Sequence, residues 1–91
     1  MRNNWVARAR AELTEVFEKE VGRHLVGVIV ERIEERPDPW VWVKIAYKRD
    51  GGKRRVAFID VRKDRLEDLD HRKEWLDQFL ATVRHDLGET A

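Results

Sequence analysis

The side chains of this chain able to move protons or hold a metal are three histidines and eighteen carboxylates. Their spacing limits what chemistry they could do. His71 and His85 fall fourteen residues apart in a run of helical periodicity, roughly 21 Å along a helix axis, too far to share one ion within a single chain. His71 and Glu74 form a local pair, but two ligands on an exposed face fall short of the three or four that a zinc site uses. Asp64, Asp68 and His71 also share helical spacing, and the two acids are better explained as favourable charge near a helix N-terminus. His24 opens a strand after a glycine, where a polar residue is unremarkable, and Glu20, inside an apolar stripe, calls for an arginine partner or solvent. There is no cysteine, so thiolate ligands, thiol nucleophiles and disulfides are unavailable. No HExxH, GxSxG, Walker loop or dinucleotide fingerprint occurs. The expectation is a non-enzymatic protein with no catalytic residue, no metal, no cofactor and no small-molecule substrate.

A second group of residues speaks of binding rather than catalysis. In WVWVKIAYKRDGGKRRVAFIDV, residues 40–61, Val41, Val43, Ile45 and Tyr47 alternate as a half-buried strand requires. Trp40 and Trp42 stand out of step with them, so this strand is apolar on both faces. Five bases, Lys48, Arg49, Lys53, Arg54 and Arg55, crowd the turn that follows. Aromatic side chains beside bases on a sheet can stack unpaired nucleotides and bind their phosphates. A charged turn that discourages edge pairing is the simpler explanation of the same bases.

The elements that must position these residues are legible in outline. Trp5, Val6, Ala9, Leu13, Val16, Phe17 and Val21 recur at three- and four-residue intervals, which predicts a helix over 3–21 capped by asparagine and ended by Gly22. Residues 24–33, rich in β-branched side chains, read as a first strand, and residues 34–39, with two prolines, break it. Strands over 40–49 and 53–61 follow. A last helix over 64–87 opens on an Asp64–Glu67 capping box and carries Leu66, Leu69, Leu76, Leu80, Val83 and Leu87 as its core stripe. Only the last three residues are expected to fray. The fold class is α+β: helix, three-stranded antiparallel meander, helix, in one domain over 1–91, with both helices on one face of the sheet.

If Asp50-Gly51 forms a two-residue type I′ turn, Tyr47, Ile45, Val43 and Val41 share the helix-covered face with Val56, Phe58, Val26, Val28 and Val30. The other face then carries Ile29, Ile33, Trp40, Trp42, Lys44 and Ile59, with Arg55 and Lys48 toward the hairpin tip. Such a patch exceeds the roughly 400 Å² that monomers leave uncovered. One helix on each face would cover it in a three-layer monomer; with both helices on the other face it predicts association with a second copy or another protein, tryptophan serving as anchor and Arg54 and Arg55 steering acidic groups at the rim. Nucleic-acid binding through the same face and the hairpin tip is the competing reading.

Charge is consistent with either surface. The net charge is only +1, but residues 44–65 hold nine bases against three acids, a net of +6, while 66–91 hold three against seven, a net of −4. The near-neutral total favours protein over nucleic acid. The helix, three strands, helix order is similar to that of the double-stranded-RNA-binding domain, and the resemblance implies a basic start to the last helix and a minor-groove loop after the first strand. Here Arg62, Lys63 and Arg65 alternate with acids, and the loop at 34–39 is acidic. Order alone is shared, and the chain is not assigned to that family. The longest apolar run, 25–30, is too short to span a bilayer, the N-terminal segment lacks an apolar signal core, and a cytoplasmic adaptor or inhibitor of bacterial or phage origin is expected.

Overall fold

The computed structural model describes residues 4–33 and 39–88. Helix α1 spans Trp5–Val21. Asn4 starts it by accepting the Ala7 N–H on its side-chain oxygen (3.2 Å), and Gly22, at φ 62°, ends it where a side chain would be strained. A 3-10 turn, Gly22–His24, leads into β1, Leu25–Arg32. Strands β2, Trp40–Lys48, and β3, Arg54–Arg62, complete an antiparallel meander in the order β1-β2-β3. Helices α2, Lys63–Glu67, and α3, Leu69–Asp86, close the chain. The expected break at 34–39, save Pro39, the helix start at Asn3 and the frayed end at 89–91 lie outside the described residues.

Both long helices pack on one face, as expected. Ala9, Leu13, Phe17 and Val21 of α1 and Leu76, Phe79, Leu80 and Val83 of α3 form one buried cluster with Val41, Val43, Ile45 and Tyr47 of β2. Phe17 and Phe79 join the two helices, with ring centroids 5.9 Å apart. Charged pairs clamp the same helix–helix seam: Arg84 meets Glu20, and Arg72 Nη1 lies 3.0 Å from Glu12.

Three expectations are corrected. The last helix is two helices, because Asp68 turns extended (ψ 120°) and its carboxylate accepts the Asp70 and His71 N–H groups, capping α3 afresh. An aspartate competes with its own helix for backbone donors in this way. Leu66 stays fully buried while Leu69, beyond the break, is rotated out and exposed. On β1, the pairing slips between Leu25 and Gly27, a bulge that turns Val26 outward to solvent rather than onto the core face.

The third correction concerns β3. Its register pairs Val41 with Val61, Val43 with Ile59 and Ile45 with Ala57, so the connection runs over five residues, 49–53, rather than two. The Gly52 N–H donates to the Arg49 carbonyl (2.9 Å) with Gly51 at φ 73°. No residue other than glycine has positive φ among the described residues, so Asp50 cannot supply the first half of a type I′ turn, and the combination is that of type II. An odd loop moves every β3 side chain to the opposite face. Ala57, Ile59 and Val61 face the helices, and Val56 and Phe58 face away. Asp60 explains the preference: the two-residue turn would bury its carboxylate opposite Val41. That costs several kcal/mol unpaired, more than the roughly 1.5–3 kcal/mol forgone by leaving Phe58 in water.

Candidate interaction surface: the open face of the sheet

Neither helix covers the far face of the sheet. Side chains directly opposite one another in an antiparallel pair lie on the same face, so the register defines this surface. Ile29 stands across from Lys44, and Lys44 from Phe58; Glu31 stands across from Trp42, and Trp42 from Asp60; Ala46 faces Val56, and Trp40 faces Arg62. Phe58 is 64% exposed, Val56 59% and Ile29 49%, while Trp40, Trp42 and Lys44 are half-buried among them. The Lys44 ammonium sits 4.5 Å from the Trp42 ring centroid and 4.0 Å from a Glu31 carboxylate oxygen. This pins an aromatic plane in the middle of the patch.

Of the residues expected here from the sequence, Ile29, Trp40, Trp42 and Lys44 are on the open face. Ile59 is not: the odd register carries it to the helix side, where it packs against the core. Ile33 donates its N–H to the Trp40 carbonyl (2.9 Å) and is buried, outside the helix-side cluster, so it offers no contact area. Val56 and Phe58 are the members that sequence reading missed. Asp60 was the available signal, since it cannot share a buried face with Val41.

The five bases of the hairpin do not form one phosphate-binding cluster. Lys48 and Arg54 are cross-strand partners on the open face. Arg55 lies on the helix side, where its guanidinium bonds Asp86 (2.7 Å). Asp86 also accepts the Tyr47 hydroxyl (2.7 Å). Arg49 reaches back alongside Gly88, and Lys53 is exposed at the tip. Asp50 bonds Arg23 (2.7 Å), and that hydrogen bond, reinforced by the cation's charge, holds its carboxyl below the usual range.

The proton-active candidates are held in structural bonds or stand on exposed surface. Asp68 caps α3. Asp64 accepts from Nε and Nη2 of Arg62 (3.2 and 3.1 Å), and Glu74 takes Arg65 (3.0 Å) rather than His71. His71 Nδ1 stands 4.0 Å from Asp68 on the exposed surface. Among the described residues no group of three or more such side chains could hold a metal ion, and no helix is long and apolar enough to cross a membrane. No protein-family model, curated protein or solved structure matches the chain.

Proposed function

We propose that this chain is a non-enzymatic interaction module whose open sheet face docks the surface of another protein. The observation that carries the reading is the grouping of Ile29, Trp42, Val56 and Phe58 around Lys44 on a face that neither helix covers. Three bases, Lys48, Arg54 and Arg62, and two acids, Glu31 and Asp60, surround it, and Lys44 lies within it between Ile29 and Phe58. A partner with apolar knobs and an acidic rim complements that pattern, whereas a copy of the same face would meet like charge. Aromatic anchors with charged surroundings are the composition of interface hot spots.

Nucleic-acid binding is the second reading, favoured by one observation: Phe58 lies beside Lys44 and Trp42, a platform on which a base could stack. The division of the hairpin bases between two faces, with Arg55 tied to Asp86, argues for protein. A photo-crosslinker at position 58 should capture a discrete protein that Trp42→Lys abolishes and a crosslinker at exposed Asp77 does not reach. Tight binding of a single-stranded oligonucleotide that falls steeply with salt and is lost in Arg54→Glu would decide for the second reading instead.

A further inference from the structure

We infer that the protein docked on the open face presents an amphipathic helix, laid along β2, with acidic residues at the end that meets Lys48 and Arg54; the inference rests on the docking reading above. On this face β2 is the floor of a shallow channel. Trp42, Lys44 and Ala46 are half-buried there, while Ile29 of β1 on one side and Val56 and Phe58 of β3 on the other stand exposed. An extended segment could not satisfy its backbone in this channel. Strand addition takes place at a sheet edge, where N–H and C=O groups are on offer, whereas a helix bonds its own backbone and can press an apolar stripe onto side chains. From Trp42 to Lys48 the floor runs about 20 Å at the rise of a strand, the length of roughly 13 helical residues.

Charge decides which end of the channel takes the acids. Lys48 and Arg54 are exposed and stand directly across from one another on the same face, a like-charge pairing that destabilises a sheet when nothing lies between. The acids at this end of the sheet are committed elsewhere: Asp50 bonds Arg23, and Asp86 bonds Arg55 and Tyr47. β1 brings none, since its pairing with β2 ends at Leu25 opposite Tyr47. A carboxylate supplied from outside and set between the two bases relieves their repulsion and gains charge-assisted hydrogen bonds to both. The far end of the channel differs, because Glu31 and Asp60 flank Trp42 there, with Arg62 one pair further along. Acids on the helix are therefore drawn to the hairpin end and not to the Trp42 end.

A phage library of random peptides of about 20 residues, enough for the helix that the channel holds, identifies the class of occupant when it is selected on the immobilised chain and depleted on Phe58→Asp. Circular dichroism confirms that each variant is folded. Surviving peptides should repeat apolar residues at three- and four-residue spacing and carry Asp or Glu near one end. A synthetic peptide of the consensus should gain helical circular dichroism on binding, and Lys48→Glu combined with Arg54→Glu should weaken its binding about tenfold. Replacing the acids of the peptide by lysine should restore binding to that double variant to within about threefold. Survivors with strand-like alternation or without acids, or a consensus peptide indifferent to the double variant, would overturn the inference while leaving the open face as a docking surface. If no peptide survives depletion, the docking reading itself falls, and the inference with it.

Discussion

Tyr47, the sole tyrosine, shows how one buried hydroxyl ties two elements and sets an alkaline limit. Burial first, and then the hydrogen bond and negative charge of Asp86, push its pKa from 10.0 up to about 12, against a smaller lowering by Arg55. An unfolded chain would release this proton near pH 10 while the folded chain retains it, so the folded state binds more protons between pH 10 and 12. Stability should be unaffected below pH 10 and fall as pH rises through that window. Absorbance titration should find phenolate appearing near pH 12 in buffer and near pH 10 in denaturant, and Tyr47→Phe should remove this part of the pH dependence. Arg72 supplies a second residue-scale test. It is only 7% exposed, and its Nε donates to the Leu66 carbonyl (2.7 Å) while Nη1 meets Glu12. Arg72→Ala leaves that carbonyl unpaired and should cost about 1–3 kcal/mol, with more from the lost stem packing. Glu12→Ala removes only a half-exposed partner and should cost about 0–1 kcal/mol. Urea unfolding midpoints measure both.

At the scale of elements, the decisive event is the length of one turn. Five residues between β2 and β3 exchange the faces of Phe58 and Ile59, and stability measurements should read the exchange directly. Phe58→Ser, on the open face, should change unfolding free energy by no more than about 0.5 kcal/mol. Ile59→Ala, packed against the helix-side core, should cost about 2 kcal/mol. The opposite ranking would restore the two-residue turn. The elements themselves were legible in the sequence: stripes at 3.6-residue spacing gave α1 and α3, alternation gave β2, and glycines marked the ends. Apolar alternation in β3 is ambiguous, because Val56-Ala57-Phe58-Ile59 is apolar at every position; only Asp60 distinguishes the faces. The same holds at Asp68, which reads as one more acid on a helix until its carboxylate caps α3.

The whole molecule has a single core shared by both long helices and all three strands, and should unfold as one unit. Far-ultraviolet circular dichroism and tryptophan fluorescence, the latter reporting buried Trp75 among others, should give superimposable denaturation curves. Separate transitions for the two probes would mean that α3 melts independently of the sheet. The molecule is asymmetric at this scale: one sheet face is sealed by helices, and the other carries Phe58 and Ile29 into solvent.

Local sequence determined which segments became helix or strand, that the sheet is antiparallel, and that β2 carries large apolar side chains on both faces. Those properties follow from side-chain periodicity and chain geometry within a few residues, so they need no distant partner. Tertiary structure alone decided that Phe58 belongs to the open face and Ile59 to the core, that Arg55 binds Asp86 beneath the sheet, and that Ile33 is covered. Each outcome depends on which residues stand across a ladder or on another element, and a one-residue change in a turn alters all the β3 facings at once.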